Sequence, residues 1–151
     1  MFSERDQFWM EKALTLAQHA AEHNEVPVGA VLVAGETVVG EGWNQPIFLN
    51  DPTAHAEVIA MRAAAKHRGN YRLVNTTLYV TLEPCTMCVG ALIQARVRRL
   101  VFGATDPKAG AVVSVLQALD IGKLNHRIEY NGGVLAVPCG EMLTHFFRAR
   151  R

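Results

Sequence analysis

The chain has 151 residues, half of them hydrophobic and 19% charged, with a formal net charge of +1. This composition excludes intrinsic disorder, and it excludes nucleic-acid binding driven by an overall basic field; any polynucleotide partner has to be held by local charge. The residues from Met1 to Asp6 carry both charge signs, and no apolar run reaches bilayer length, so neither a signal peptide nor a membrane span is expected and the cytoplasm is the default compartment.

The length predicts one domain over residues 1–151. Ser3 with Asp6 resembles a capping box, and Trp9, Ala13, Leu16 and Ala20 recur at helical spacing, which predicts a first helix over about residues 5 to 23. Val28 to Val33 is a continuous apolar run of strand length, and Thr37 to Glu41 reads as its hairpin partner across Gly35. A loop rich in Asn and Pro follows from Gly42 to Pro52. A second helix is expected to start near Asp51 or Thr53, either of which could cap it.

His67 to Asn75 looks like a connector, and Thr77 to Leu82 predicts a third strand that ends where Glu83-Pro84 opens a third helix. Val97 to Phe102 predicts a fourth strand, exposed at the end that carries Arg98 and Arg99. A polar loop over Gly103 to Gly110, a short helix around Ser114 to Leu119 and a weak strand at Arg127 to Tyr130 come next. Asn131-Gly132-Gly133 is a breaker, and a closing amphipathic helix is expected from about Pro138, with one of Phe146 and Phe147 buried and the other near the surface. Strands alternating with helices after an initial hairpin imply a layered α/β domain with a mixed sheet.

Two short motifs carry chemistry. His55-Ala56-Glu57 supplies an imidazole and a carboxylate, and Pro84-Cys85-Thr86-Met87-Cys88 supplies two thiols. Catalytic zinc keeps three protein ligands and one open position, so His55, Cys85 and Cys88 complete the set and leave Glu57 free as a proton carrier. Both motifs fall at expected helix N-termini, where backbone N–H groups favour thiolate over thiol. Zinc lowers the pKa of bound water towards ~7 and so provides hydroxide under mild conditions. The competing reading of Cys85 and Cys88 is a structural zinc site or a pair of buried thiols. Cys139 is remote in sequence and reads as a small core residue; His19, His23, His67 and His145 read as surface residues.

H-x-E followed by P-C-x-x-C resembles the signature of zinc-dependent nucleobase deaminases. The surrounding segments narrow the resemblance: Val26-Pro27-Val28-Gly29-Ala30-Val31, Gly42-Trp43-Asn44, Asp51-Pro52-Thr53-Ala54-His55-Ala56-Glu57, Tyr79-Val80-Thr81-Leu82-Glu83-Pro84-Cys85 and Val101-Phe102-Gly103-Ala104 look like bacterial tRNA-specific adenosine deaminases. The likeness runs from the first helix to Phe146-Phe147-Arg148. It implies a three-layer α/β/α cytidine-deaminase-like fold, a five-stranded mixed sheet flanked by helices, one zinc per chain and a homodimer. It further implies deamination of the wobble adenosine in a tRNA anticodon stem-loop to inosine, with hydroxide attacking C6 of the flipped adenine and Glu57 as proton shuttle.

By position in that family, Asn44 would bind the flipped base, and Asp106, Lys108 and Asn125 would contact neighbouring nucleotides. Phe147, Arg148, Arg150 and Arg151 would lie against the RNA, a pairing of stacking surface with phosphate-seeking charge. The chain departs from the family at Val112-Val113, where smaller residues, often glycine, usually precede the serine at Ser114. A deaminase of free cytosine, cytidine or guanine, and a non-catalytic zinc-stabilised RNA-binding module, are the alternative readings.

Overall fold

The computed structural model describes residues 3–150. Ser3 and Asp6 exchange hydrogen bonds as a full capping box and start α1, Glu4–Glu22. Strands β1 (Gly29–Ala34) and β2 (Thr37–Trp43) form the hairpin, and a one-turn helix, α2 (Pro46–Leu49), follows it. Helix α3 spans Ala56–Arg68, β3 spans Thr77–Leu82 and α4 spans Thr86–Ala95. Strand β4 (Arg99–Ala104), a 3-10 turn at Ala118–Asp120, β5 (Glu129–Gly132) and α5 (Ala136–Arg148) complete the chain.

The five strands form one mixed sheet in the order β2-β1-β3-β4-β5, antiparallel through β3 and parallel from β3 to β5. Helices α3 and α4 cover one face, where Ala56, Ala60, Val89 and Leu92 join Leu32, Leu78, Val80 and Phe102 in the larger core. Helices α1 and α5 cover the other, where Trp9, Met10, Ala13 and Cys139 pack on Val31, Tyr79 and Val101. The three-layer α/β/α arrangement inferred from the resemblance is thus present.

Small residues bring α3 unusually close to β2. A Cβ on Gly40 would sit 2.2 Å from the Ala60 carbonyl oxygen, and one on Gly42 would sit 2.2 Å from that of Ala56. The helix that carries His55 and Glu57 at its start is therefore pressed against the hairpin, and glycine is what permits the approach.

Several elements differ from the sequence reading, each for a local reason. Neither Asp51 nor Thr53 caps α3: the Asp51 carboxylate accepts from the Thr53 backbone and hydroxyl, and α3 starts later, at Ala56. The segment read wholly as loop contains α2, whose first residue, Pro46, suits a helix start. Strand β4 begins at Arg99 because the Val97 amide is drawn to the Leu92 carbonyl in the turn that ends α4. Arg99 is not a free surface cation; its guanidinium forms a bidentate pair with the buried Asp6.

The helix expected over Ser114 to Leu119 shrinks to a 3-10 turn, since the amides of Val112, Val113 and Ser114 are turned towards the Glu83 carboxylate instead of starting a helix. Strand β5 runs through Asn131 and Gly132, and the break falls at Gly133, with φ at +94°. Helix α5 starts at Ala136, which places Pro138 in the first turn, where a missing N–H costs nothing. Phe146 is 6% exposed and Phe147 48%, as the pairing of one buried and one surface aromatic required.

Candidate active site

His55 is the extended residue immediately before α3, and Cys85 holds the same place before α4. Glu57 and Cys88 lie in the first turns of those two helices, so both helix N-termini point at one spot beside the C-terminal end of β3. His55 Nδ1 lies 3.6 Å from Cys85 Sγ and 3.5 Å from Cys88 Sγ. All three ligand atoms fall within 4.8 Å of one another. A tetrahedral ion with ~2.3 Å bonds to sulfur and ~2.0–2.1 Å to nitrogen sets its sulfur and nitrogen ligands about 3.5 Å apart, so this donor set fits zinc. Among the described residues no fourth His, Cys, Asp or Glu joins the cluster, which suits a catalytic site better than a closed structural one.

The electrostatics agree. The contact with the Cys88 thiol, and then the one with His55, holds Cys85 as a thiolate, with a pKa of about 3. The same contact and burial push Cys88 up. The bond to Cys85 raises His55. Burial pushes the Glu57 carboxyl up, opposed by its own backbone amide and by the charge of His55. A 4% exposed carboxyl beside the ligands, biased towards holding a proton, can both take and give one. Burial also pushes the Cys139 thiol up to about 12, and it sits in the core against α1 and β4, away from the cluster.

A cavity of about 240 Å³ opens over these groups, lined by Asn44, His55, Glu57, Cys85 and Asp106, with Val28 and Leu82 among its apolar walls. It is below the roughly 300–1,000 Å³ of sites for drug-sized ligands and suits a single base. Asn44 Oδ1 accepts from the Ala56 amide at 2.8 Å, which caps α3 from outside the helix. Its Nδ2 group makes no hydrogen bond among the described residues and is left for a ligand.

Two further cavities adjoin the first. One, of about 450 Å³, shares Val26, Leu82 and Asp106 with it and is bounded by Lys108 and Phe147. The other, of about 330 Å³, shares Val26, Asn44 and Pro46 and reaches Phe146 and Arg150. Through these shared residues the three cavities adjoin as one cleft beside the N-terminal ends of α3 and α4.

Between them the three cavities are lined by Asn44, Asp106, Lys108, Phe147 and Arg150 beside His55 and Cys85. Arg148 is exposed one residue beyond Phe147. Arg150 stacks its guanidinium 3.5 Å from the Phe146 ring centroid and donates to Asn24 Oδ1, so part of its capacity ties α5 to the end of α1. Asn125 does not line these cavities; its exposed side chain accepts from Arg96 at 3.3 Å. Arg151 lies outside the described residues.

Sequence reasoning missed two buried acids at the rims. Glu25 accepts from the Ile47 and Phe48 amides and so caps α2. Glu83, 2% exposed, accepts from the amides of Asp106, Val112, Val113 and Ser114 and from the Ser114 hydroxyl. Burial alone would raise its pKa, but those bonds hold it at about 2. Its place beside Pro84-Cys85 was the available signal. The departure at Val112-Val113 is absorbed simply: Val112 is buried in the larger core, and Val113 turns outward.

Known proteins match this arrangement. A sequence profile described as MafB19-like deaminase matches residues 4–151. A tRNA-specific adenosine deaminase of Haemophilus influenzae is 54% identical over 150 residues, covering 99% of this chain and 87% of the relative. This chain belongs to the tRNA-specific adenosine deaminase family. As a member it is an enzyme, a hydrolase of carbon–nitrogen bonds. A solved structure from a study of A-to-I editing by tRNA deaminases at the wobble position of transfer RNA is 44% identical, with a TM-score of 0.87, and the match covers 90% of this chain and 99% of that one. Guanine deaminase from Nitrosomonas europaea, 21% identical with a TM-score of 0.81 over 97% of this chain and 85% of that one, shares the fold with these tRNA deaminases. No helix among the described residues is long and apolar enough to cross a membrane.

Proposed function

We propose that the chain deaminates the wobble adenosine of a tRNA anticodon stem-loop to inosine, as one zinc-dependent domain over residues 1–151 working in the cytoplasm. The observation that carries this reading is a base-sized cavity with His55, Cys85 and Glu57 in its lining, Cys88 buried behind them, and a cleft edged by Asn44, Asp106, Lys108 and Phe147 around its mouth. A zinc ion held by His55, Cys85 and Cys88 would supply hydroxide near neutral pH.

The chain's own groups do the rest. Asn44 Nδ2 donates to the flipped base and fixes its orientation. Glu57 takes the proton of the attacking water and delivers it to a ring nitrogen as a C–O bond forms at C6. It then takes the proton of the new C6 hydroxyl and passes it to the amino group, so the C–N bond breaks, ammonia leaves and a carbonyl remains. Closed in by Val28 and Leu82, the base is shielded from bulk water.

Phe147 offers a stacking face to a neighbouring base, and Lys108, Arg148, Arg150 and Arg151 offer charge to phosphates. Asp106 contacts a flanking nucleotide, and Asn125 meets the stem-loop away from the target base. The chain works as a homodimer: Met87 and Ile93 leave apolar surface partly uncovered on α4, and Ile47, Phe48 and Leu49 are exposed on α2. A monomer in sedimentation at micromolar concentration would count against that assembly.

Incubation with tRNA followed by nucleoside mass spectrometry tests the activity. Inosine at the wobble position is the expected product. Uridine or xanthine from small substrates alone would assign a free-base deaminase, and binding without conversion a non-catalytic module.

A further inference from the structure

Residues 105–109 line the cleft, and the segment 105–114 that carries them belongs to no helix or strand. Irregular backbone holds a defined shape only when its polar groups are bound, and here one buried carboxylate binds them. Glu83 Oε1 faces the Asp106 amide at 3.0 Å and the Ser114 hydroxyl. Oε2 faces the amides of Val112, Val113 and Ser114 at 3.1, 2.8 and 3.0 Å. The carboxylate thus clamps the start and the end of the segment together.

The clamp reaches the cleft through Asp106. With its backbone held by Glu83, Asp106 turns its own Oδ1 to the amides of Lys108 and Ala109 at 3.1 and 3.2 Å, which sets the direction in which Lys108 leaves the wall. Gly110 leaves the space in which the carboxylate sits: a Cβ there would lie 2.3 to 2.4 Å from the Glu83 carboxyl atoms. Nothing in the chemistry of the base requires Glu83, since Glu57 already carries the protons.

We propose that Glu83 is a positioning residue for recognition of the polynucleotide, fixing Asp106 and Lys108 against the nucleotide that flanks the flipped base. This rests on the tRNA reading above. It makes Glu83 a determinant of which neighbouring nucleotide is accepted, acting on substrate capture more than on the chemical step.

Glu83→Gln tests it with little change of volume. The Gln side-chain oxygen is best placed against the three amides at Oε2, the Ser114 hydroxyl can rotate to accept from the new NH2 group, and the Asp106 amide alone loses its acceptor. In the zinc-loaded enzyme, KM for an anticodon stem-loop should rise about 10-fold to 100-fold, the range for losing a hydrogen bond to a charged group, with kcat changed far less. Zinc content should stay at one per chain. In an Asp106→Ala background the same change should cost less than about 3-fold, because its effect runs through Asp106.

Gly110→Ala, which pushes the carboxylate aside, should give the same pattern if Glu83→Gln fails to fold. Loss of zinc, a fall confined to kcat, or full additivity with Asp106→Ala would overturn the proposal and leave Glu83 as scaffold only. Amide hydrogen exchange needs no activity: Asp106 should exchange at least about 10-fold faster in Glu83→Gln with β3 and α4 unchanged, and unaltered exchange would refute the clamp. If the parent enzyme deaminates no stem-loop, the tRNA reading fails while the exchange result still decides whether Glu83 orders the wall.

Discussion

The side-chain oxygen of Asn44 accepts a hydrogen bond from the Ala56 amide at 2.8 Å, so the residue just past the hairpin's second strand caps the helix whose first turn holds Glu57. The amide oxygen builds the site, and the amide NH2 is the group proposed to meet the base. Asn44→Ala should remove both roles, lowering stability by about 1 kcal/mol, a typical N-cap loss, and lowering turnover. Asn44→Asp keeps the acceptor and loses the donor. It should recover most of the thermal stability without the turnover, read by melting curves beside kcat. Recovery of both would mean that the base does not use Nδ2.

Metal and proton transfer should separate by mutation. Cys88→Ala leaves two protein ligands and should lose zinc together with activity, which elemental analysis would show. Glu57→Ala should keep zinc and bind the stem-loop, yet lose about 10²–10⁴-fold in kcat, the usual worth of general acid–base catalysis. A loss below about tenfold would exclude Glu57 as the proton carrier.

Affinity for the proposed RNA substrate has to rest on few cations, because the net charge is only +1. Each phosphate contact adds about 0.7 to the log–log salt slope for a single strand. Replacing Lys108, Arg148 and Arg150 by Ala should therefore flatten that slope by up to ~2. Arg150→Ala alone should also lower the melting temperature, since its guanidinium packs on Phe146 and holds Asn24; Arg148→Ala should not. An unchanged slope in the triple variant would leave these cations as an ordinary charged surface.

Stability at low pH should depend on Asp6. Burial would raise its pKa, but bonds from Arg99 and Tyr79 outweigh this and hold the carboxyl below its usual value. A depressed folded pKa gives stability that is present above the unfolded value, about 3.9, and is lost as pH falls towards the folded one. Asp6→Asn leaves Arg99 without its anion inside the fold and should cost about 3 kcal/mol at neutral pH. It should also weaken the acid dependence of stability below about pH 4. Denaturant melts from pH 7 to 3 check both, and parallel curves for parent and variant would remove Asp6 as the source.

Local rules made much of this protein readable from its sequence. The capping box at Ser3 and Asp6, the strand at Thr77 to Leu82 and the pairing of Cys85 with Cys88 on one turn were legible because spacing along the chain sets each one. Tertiary structure decided what depends on partners far away in sequence. Asp6 meets Arg99 across 93 residues, which turns an expected surface cation into a core tie. Asn44 replaces Asp51 and Thr53 as the cap of α3, because the geometry of the hairpin brings its amide to Ala56. Glu83 gathers donors 23 to 31 residues downstream, and no periodicity marks a carboxylate whose ligands are backbone amides. Residue types and spacing determined the chemistry of the floor; only the packing of α3 and α4 onto the sheet decided the shape of the cleft above it.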